Sequence, residues 1–333
     1  MSRPAERVVL EVKDLHAHLY TRWGVVRAVD GVSLTLHEGE TLGLVGESGC
    51  GKTMTALSVL RLLPQPAGQI VGGQIILDGE DLVTKSEREM EQVRGRKIAM
   101  ILQDPQTSLD PVFSIGNQIV EALRVHRRAE GRRELWRRAG EALRRVKVAA
   151  PEERLRDYPH QMSGGMKQRV VGAIAVAGEP RVLIADEPTT ALDVTIQLQY
   201  LELLKEIQAR TRLAMLFITH DFGIVARMCD RVAVMYAGRI VEHGPLRTLF
   251  RAPRHPYTQA LMAAVPRLNA VDRLTAIDGQ PPALHRLPAG CRFAPRCRYV
   301  DARCHLEYPA VVPVGPGHEA ACWRVEPSPS PSR

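Results

Sequence analysis

Short apolar runs in the first hundred residues have the length and the Val, Ile and Leu content of β-strands. Five such runs occur over 8–103: VVLEV, VSLTL, TLGLV, QIILD and KIAMIL. One helical run, MTALSVLRLL, lies among them. The pattern predicts an α/β beginning of the kind that binds nucleotides.

The middle of the chain, over about 104–180, changes to a helical pattern. Ten Lys or Arg residues occur from Arg124 to Lys147, interspersed with apolar residues such as Leu135 and Leu143. This spacing is typical of helices with one buried and one solvated face. We therefore predict a helical subdomain over about 104–180.

Strand patterns return at Arg181 and alternate with a helix predicted over about 195–209. The strand runs are RVLIAD, LAMLFIT and RVAVMYA. Strands that alternate with helices indicate a mainly parallel sheet with right-handed crossovers. Prolines become frequent after Gly244, so we predict a domain boundary there, with a first domain over 1–244 and a C-terminal region over 245–326. The Pro/Ser tail at 327–333 is predicted to be disordered.

The charge balance limits the partners of the chain rather than its fold. Lys and Arg number 45 against 37 Asp and Glu, a net charge of +8. Such an excess suits nucleotide, nucleic acid or an acidic lipid surface, although many soluble chains are simply basic. The longest stretch of small and apolar residues, 170–178, is far shorter than the about 20 residues that cross a bilayer. The first residues lack the apolar run of a secretory peptide, so we expect a cytosolic protein.

A glycine-rich loop, GESGCGKT at 46–53, follows the apolar run TLGLV and precedes the helical run. Strand, glycine loop and helix in this order are the context of a phosphate-binding loop. Its backbone N–H groups turn inward at a helix N-terminus, where the helix dipole also favours phosphate. Lys52 is predicted to reach the β- and γ-phosphates, and Thr53 to place its hydroxyl on Mg²⁺. A glycine-rich turn that matches by chance is the alternative. The candidate binding residues are Gly46, Ser48, Gly49, Gly51, Lys52 and Thr53.

A pair of acids ends the apolar run RVLIAD at the start of the segment RVLIADEPTTALD. Asp186 is predicted to hold Mg²⁺ through its water shell, and Glu187 to polarise the attacking water as general base. Adjacent residues of an extended chain point in opposite directions, so we expect the two acids to have different roles. Two solvated acids at a strand end are the alternative.

The segment MSGGM at 162–166, followed by KQR, resembles the signature motif of the ATP-binding cassette subunit of ABC transporters. Met162 and Met166 stand where the LSGGQ form has Leu and Gln. Ser163, Gly164 and Gly165 keep a hydroxyl and a glycine pair at a helix start, a second phosphate-binding N-terminus. The resemblance implies that this surface contacts the γ-phosphate bound to an opposite subunit. It also implies a P-loop NTPase cassette with a mainly parallel core, an antiparallel β subdomain and a helical subdomain.

The same resemblance assigns roles to three further positions. Gln103 matches the Q-loop glutamine, which contacts Mg²⁺ and the attacking water. Ala191, Leu192 and Asp193 match the D-loop, which communicates across the dimer. His220, in LFITHD, matches the switch histidine that contacts the γ-phosphate, whereas a lone histidine after a strand is more often structural.

An aromatic residue that stacks on adenine is less clearly marked. Trp23 lies 29 residues before Lys52, close to the position where the family carries such a ring, and Tyr20 is the alternative. Either ring could instead pack against the first sheet.

Within the family, the chain most resembles the ATPases of oligopeptide, dipeptide and nickel importers. The resemblance covers 8–323 and is carried by ILQDPQTSLDP, QMSGGMKQRV, DEPTTALDVT and HPYTQAL. It implies a subunit that hydrolyses ATP and powers uptake of oligopeptides or dipeptides, or of nickel or another small solute. The implied partners are a second cassette subunit, related or identical, two transmembrane permease subunits and an extracytoplasmic substrate-binding protein. The implied location is peripheral, on the cytoplasmic face of the inner membrane.

Two other classes are less consistent with the sequence. A soluble ABC ATPase acting on nucleic acid or ribosomes would need a long coiled-coil insertion or a second cassette, and neither pattern is found, so we expect no nucleic-acid partner. A P-loop kinase would leave MSGGM and the D-loop without a purpose.

Four of the six cysteines are concentrated near the C-terminus with the spacing C-x5-C-x6-C-x17-C: Cys291, Cys297, Cys304 and Cys322. Zinc modules usually have C-x2-4-C pairs, which are missing here. Long intervals suit a [4Fe–4S] cluster, which takes one ligand per iron, and the resemblance implies such a cluster in some members. Zinc, and four free or disulfide-bonded thiols, are the alternatives. Cys50 and Cys229 are interpreted as small packing residues.

Overall fold

A computed structural model describes residues 7–127, 129–190, 192–264 and 277–326. The chain forms two compact units. The first unit comprises Met1–Leu10, Leu36–Glu40 and Thr84–Phe217, and the second comprises Glu11–Thr35, Thr41–Val83 and Ile218–Arg333. The tail predicted at 327–333 lies outside the described residues.

Twelve strands and twelve α-helices are present in the described part of the chain. The strands are β1 Val8–Thr21, β2 Gly24–His37, β3 Thr41–Val45, β4 Gly68–Leu77, β5 Glu80–Asp81, β6 Ile98–Ile101, β7 Val182–Asp186, β8 Ala214–Ile218, β9 Arg231–Tyr236, β10 Arg239–Pro245, β11 Val312–Gly315 and β12 His318–Ala320. The helices are α1 Lys52–Val59, α2 Glu87–Val93, α3 Pro105–Ser108, α4 Ile115–His126, α5 Arg132–Arg145, α6 Pro151–Arg154, α7 Gly164–Ala177, α8 Val194–Thr211, α9 Phe222–Met228, α10 Leu246–Arg251, α11 Pro256–Ala263 and α12 Ala302–Leu306. Two 3₁₀ turns, Pro159–Gln161 and Ala294–Arg296, complete the set.

The first unit contains a helical part and a parallel strand pair. Helices α4, α5 and α7 pack against one another, and α5 buries Leu135 and Leu143 while its arginines remain in water. An exposed network in which Arg137 pairs with Glu134 and Glu141 lines the outer face of α5. Strands β6 and β7 run parallel, with Ile101 opposite Ala185. The predicted amphipathic helices and parallel strands are therefore present.

The second unit contains two sets of strands. Most of β1 and β2 belongs to a sheet of order β2-β1-β4-β5, and β3 pairs in parallel with β9. Every residue of β3 is buried, because β3 is a central strand with apolar side chains on both faces. Strand β3 therefore gives a rigid base to the glycine loop that follows it.

The C-terminal residues extend the strands of the second unit rather than forming a separate sheet. Strand β10 pairs antiparallel with β9 on one side and with β12 on the other, and β11 pairs with β12. The boundary predicted near Gly244 falls inside β10. Glu242 lies opposite Ala320 in this pairing, which joins segments almost 80 residues apart.

None of the helices in the described ranges is long and apolar enough to span a membrane.

Candidate functional site

The glycine loop of the second unit connects β3 to α1, which begins at Lys52. Gly46 and Gly51 both have positive φ, 154° and 111°. A Cβ on Gly46 would lie 2.2 Å from the Met235 carbonyl oxygen, and one on Gly51 would lie 2.2 Å from that of Ala28. Only glycine fits both positions, because a side chain would collide with backbone that cannot move. The loop conformation is thus set by strands on either side of it.

Lys52 closes the loop on itself. Its side chain is buried, and its Nζ donates to the carbonyl oxygens of Gly46 at 2.8 Å and Glu47 at 3.1 Å. Ser48, Gly49 and Thr53 are exposed along the same loop and first helical turn. The arrangement offers backbone N–H groups, a hydroxyl and a buried ammonium to an anion at a helix N-terminus.

The acidic strand end lies in the first unit. Asp186 is the last residue of β7 and is only 2% exposed. Glu187 has a φ of +45° and therefore leaves the extended conformation. The sequence predicted that the two acids point in opposite directions because both lie on an extended strand. That reason is wrong, because the extended conformation ends at Asp186. The turn at Glu187 is what directs its carboxylate.

The Glu187 carboxylate is held by two donors on one oxygen. Gln103 Nε2 donates to Oε2 at 3.0 Å, and the Thr190 hydroxyl donates to the same oxygen at 3.1 Å. Gln103 lies two residues beyond β6, and the parallel pairing of β6 with β7 brings the ends of these strands together. The second oxygen of Glu187 receives neither of these bonds. A fixed carboxylate of this kind can orient and polarise a water molecule.

The MSGGM segment forms the N-terminus of α7. Ser163 is the N-cap, and its hydroxyl accepts a hydrogen bond from Met166 N at 3.3 Å. Ser163 and Gly164 are exposed, and a Cβ on Gly164 would meet no atom within 4 Å. Gly165 is needed for packing, since its Cβ would lie 2.7 Å from Ile196 Cγ2. The predicted helix N-terminus is present and open to solvent.

The remaining nucleotide-site predictions are placed on the surface or at helix ends. Asp193 caps α8 by accepting from Ile196 N at 3.0 Å, a structural role that sequence reasoning did not assign to it. His220 is exposed and lies between β8 and α9. Trp23 is at the turn between β1 and β2, 70% exposed, with Arg22 over its ring, and Tyr20 is 48% exposed. Ala191 of the predicted D-loop lies outside the described residues.

The four C-terminal cysteines line one pocket of the second unit. Phe293, Ala294, Pro309 and Trp323 supply its apolar walls. Burial raises the pKa of the Cys291 thiol to about 11 and also raises the pKa values of Cys304 and Cys322. None of the six cysteines forms a disulfide. Cys50 and Cys229 are buried, as expected for packing residues.

The pocket does not have the spacing of a mononuclear metal site. In the described part of the chain, the one group of three or more His, Cys, Asp or Glu ligand atoms within 4.8 Å of one another is His16, His18 and Asp30. Thiolates bound to one zinc at about 2.3 Å lie about 3.8 Å apart. The four cysteines line one pocket, but no three of their sulfurs lie within 4.8 Å of one another, as the ligands of one zinc would.

Sequence reasoning missed two contacts between the C-terminal region and the glycine loop. The HPYTQAL segment marked a resemblance only, but its Tyr257 hydroxyl accepts the N–H of Glu47 in the glycine loop at 2.9 Å. Arg296, between two of the cysteines, binds the Glu47 carboxylate through both terminal nitrogens. No local pattern could reveal these pairs, because their partners are more than 200 residues apart.

Comparison with known proteins places these features in a family context. A family model described as "ABC transporter" matches residues 29–190, and one described as "Oligopeptide/dipeptide transporter, C-terminal region" matches 241–304. The "Probable peptide ABC transporter ATP-binding protein y4tR" of Sinorhizobium fredii is 51% identical over 325 residues, which cover 97% of each chain. The "Dipeptide transport ATP-binding protein DppD" of Bacillus subtilis is 47% identical over 95% of this chain and 94% of that protein.

A solved structure supports the same relationship at the level of the fold. The dimeric post-hydrolysis state of the ATP-binding cassette MJ0796, bound to ADP and Pi, matches with a TM-score of 0.63 and 26% identity. The match covers 72% of this chain and 99% of that one.

Proposed function

Because this chain belongs to the ABC transporter family, among the ATP-binding subunits related to peptide transporters, we propose that it powers the uptake of oligopeptides or dipeptides. Its fold is the P-loop cassette, and the reaction of the family is ATP hydrolysis. The observation that carries the choice of peptide is the match of residues 241–304 to the C-terminal region of oligopeptide and dipeptide transporters. Action on nucleic acid or ribosomes is not favoured, because the relatives named above are peptide and dipeptide transport proteins.

Phosphate binding is proposed for the glycine loop. Lys52 is already directed at the loop by the Gly46 and Glu47 carbonyl oxygens, so its ammonium needs little rearrangement to meet a phosphate. Thr53 is proposed to place its hydroxyl on Mg²⁺, Gln103 to contact the ion through its amide oxygen, and Asp186 to hold it through its water shell, since Mg²⁺ takes hard oxygen donors and keeps several waters. Mg²⁺, when bound, neutralises charge on phosphate oxygens.

Water activation is proposed for Glu187. Gln103 and Thr190 hold one carboxylate oxygen and so fix the orientation of the carboxylate, which accepts a proton from the attacking water. The left-handed backbone at Glu187 costs free energy that an ordinary strand end would not require. Strain of this kind is consistent with a side chain whose direction matters for the reaction.

Closure of two cassettes is proposed for the α7 N-terminus. Its exposed Ser163 and Gly164 present a hydroxyl and open N–H groups, which suit a phosphate held by another subunit. We propose that His220, also exposed, contacts the γ-phosphate and that Asp193 communicates with the partner cassette. Trp23 is proposed to stack on adenine, with Tyr20 as the alternative. We propose that the second cassette is a related subunit, with an identical one as the alternative.

The transport proposal is tested with the assembled transporter in membranes. The chain is expected to be peripheral on the cytoplasmic face, attached through two permease subunits, with a substrate-binding protein on the other face. ATP hydrolysis should rise several-fold when the binding protein carries a dipeptide or oligopeptide, and labelled peptide should accumulate only with ATP. Stimulation by nickel or another small solute instead of peptides would replace the proposed substrate while leaving the motor intact.

A [4Fe–4S] cluster is proposed for the four-cysteine pocket. Cys291, Cys297, Cys304 and Cys322 line a common pocket, yet their ligand atoms are spaced more widely than one metal ion needs. A cubane takes one thiolate per iron, which fits four separated sulfurs. Burial raises the pKa values of three of these thiols and so disfavours their thiolate forms, an effect that the positive iron of a bound cluster would offset. When bound, such a cluster supplies a covalent cross-link of this segment and one-electron redox chemistry.

The cluster proposal is tested by anaerobic purification of the whole chain. About four irons and four sulfides per chain, with loss of both in a Cys304→Ser variant, are the expected result. The matched control is Cys229→Ser, because Cys229 is also buried but lies outside the pocket. One zinc per chain, or no metal at all, would refute the cluster without affecting the ATPase proposal.

A further inference from the structure

Glu47, the second residue of the glycine loop, is held at three of its polar groups. Its N–H donates to the Tyr257 hydroxyl at 2.9 Å, and its carbonyl oxygen accepts from Lys52 Nζ at 3.1 Å. Its carboxylate accepts from the two terminal nitrogens of Arg296 at 2.7 and 3.0 Å. Two of these three partners come from the C-terminal region, and neither belongs to the ATP-binding motifs.

The ion pair between Arg296 and Glu47 restricts the movement of both side chains. The arginine side chain is 4% exposed and the glutamate side chain 25%, so water screens their attraction poorly. The two-nitrogen geometry fixes the orientation as well as the distance. Arg296 is itself held by the carbonyl oxygens of Ile277 and Asp278. Glu47 is thus fastened to an arginine that cannot easily turn away.

Aromatic packing links the same segment to the second contact. Phe293 is 3% exposed and packs against Tyr236 and Tyr257, with ring centroids 5.3 Å apart in both pairs. Tyr236 and Tyr257 also pack on each other at 4.5 Å. The position of the Tyr257 hydroxyl therefore depends on where Phe293 lies.

A second arginine reaches the other end of the loop indirectly. Arg292 donates to the Ala237 carbonyl oxygen and pairs with Asp30. Gly238, which follows Ala237, donates its N–H to the Cys50 carbonyl oxygen of the glycine loop at 2.8 Å. Both ends of the loop are therefore connected to the segment 291–297, whose first and last residues are Cys291 and Cys297.

We propose that Arg296 is a positioning residue for ATP binding, which transmits the state of the four-cysteine pocket to the glycine loop. The inference rests on the ATP-binding part of the proposed function. Arg296 adjoins Cys297, so any change that moves or releases that cysteine moves the guanidinium. The carbonyl oxygen of Glu47 then moves with its carboxylate, and Lys52, which is held by that oxygen, loses its alignment. A small displacement at the pocket thus alters the N–H groups and the ammonium that bind phosphate.

The first experiment measures the dissociation constant of a fluorescent ATP analogue with Mg²⁺, without hydrolysis, on the full chain. Arg296→Gln should weaken binding about tenfold, because the two charge-assisted hydrogen bonds to Glu47 are lost. Arg296→Lys keeps the positive charge but cannot donate from two nitrogens at once, so its dissociation constant should lie between those of wild type and Arg296→Gln. The matched control is Arg298→Gln, since Arg298 is exposed and its guanidinium lies over the Tyr299 ring.

A double-substitution cycle separates positioning from general damage. Glu47→Gln alone should weaken ATP binding. Adding Arg296→Gln to it should cause little further loss of affinity, because both changes remove the same interaction between Arg296 and Glu47. Melting temperatures of all variants are recorded alongside. If Arg296→Gln destabilises the fold, Arg296→Lys and Glu47→Gln give the answer from the folded protein. Equal ATP affinity in wild type, Arg296→Lys and Glu47→Gln would overturn the proposal.

The second experiment tests transmission from the pocket. Cys297→Ser should weaken ATP binding by about threefold or more in the wild-type background and have no further effect in the Arg296→Gln background. Unchanged affinity in Cys297→Ser, or an equal loss in both backgrounds, would show that Arg296 does not carry the signal.

Iron and sulfide analysis of the same samples distinguishes the two proposals. A wild-type chain without iron refutes the cluster, while the comparison of ATP affinities still decides the role of Arg296. A wild-type chain that fails to bind the ATP analogue at all would instead refute the proposed function.

Discussion

Single residues in this protein act through the groups that hold them in place. Glu187 accepts two hydrogen bonds on one oxygen from Gln103 and Thr190, which come from separate turns of the first unit. Asp30 is held in a similar way. One carboxylate oxygen accepts hydrogen bonds from Arg292 and Arg239, and the other is hydrogen-bonded to His16. In both cases the environment, rather than the residue type, determines what the carboxylate can do.

Glu187→Gln is expected to reduce ATP turnover about 10²- to 10⁴-fold, because an amide cannot accept the proton of the attacking water. The affinity for ATP should stay within about twofold, since the glycine loop is untouched. Phosphate release and binding of an ATP analogue measure the two effects. Glu206→Gln, on the exposed face of α8, is the matched control and should retain normal turnover; near-normal turnover in Glu187→Gln would show that the base is another residue.

Asp30 predicts a pH dependence of stability. Burial acts to raise its pKa, but the hydrogen bond and charge of Arg292, with the charge of Arg239, outweigh it and lower the pKa to about 2. Since the ordinary pKa of an aspartate is 3.8, the ionised carboxylate stabilises the fold above that pH, by about 2 kcal/mol. This contribution should disappear as the pH falls from about 4 towards 2.

Denaturant unfolding of Asp30→Asn at pH 7 and at lower pH measures that dependence. The variant should be less stable than wild type at pH 7, and the difference should shrink below pH 4. Asp14→Asn is the control, because Asp14 also contacts His16 but is largely exposed. A difference between wild type and Asp30→Asn that stays constant with pH would contradict the assignment.

At the scale of elements, helix starts provide most of the candidate phosphate contacts. Helix α1 begins at the glycine loop and α7 begins at the MSGGM segment. Both positions were predictable, because glycine, serine and a following apolar run are local signals of a helix N-terminus. The lengths of the elements were less predictable: the run VVLEV belongs to a strand of 14 residues, since β1 continues through polar residues where it pairs with neighbouring strands.

Ser163→Ala tests whether the α7 cap has a role beyond the helix. The loss of a serine N-cap should cost about 1 kcal/mol of stability in the isolated chain. Ser114→Ala removes an equivalent cap from α4, where the Ser114 hydroxyl accepts from Asn117 N at 3.3 Å. Only Ser163→Ala should also weaken ATP-dependent association of cassettes, as measured by sedimentation. If both variants associate normally, Ser163 is merely a cap.

At the scale of the whole molecule, a buried hydrogen bond connects the C-terminal strands to β10. Glu242 and His318 lie 2.7 Å apart with side chains almost fully buried. Burial acts to raise the pKa of Glu242, but the hydrogen bond from His318 and those from the N–H groups of Arg254 and His255 outweigh it and lower the pKa. The Glu242 carboxylate thus connects β12 and the start of α11 to β10 through hydrogen bonds.

His318→Leu is expected to lower the free energy of unfolding by about 2 kcal/mol or more, because it removes a hydrogen-bond partner from a buried carboxylate. Thermal unfolding measures the loss. His243→Leu is the control, since His243 lies 3.8 Å from the half-exposed Glu319 and its removal should cost much less. Similar destabilisation by both substitutions would mean that the contact between His318 and Glu242 contributes no more to stability than the contact between His243 and Glu319.

The sequence alone determined the order of the motifs and the chemistry that each could perform. The glycine loop, the acidic strand end, the MSGGM helix start and the four cysteines are local patterns, whose residue types and spacing reflect backbone geometry that acts over a few residues. Tertiary structure decided which distant groups hold these motifs. The left-handed turn at Glu187 and the grip of Arg296 and Tyr257 on Glu47 depend on packing between segments far apart in the chain, where no periodicity or spacing constrains the partners.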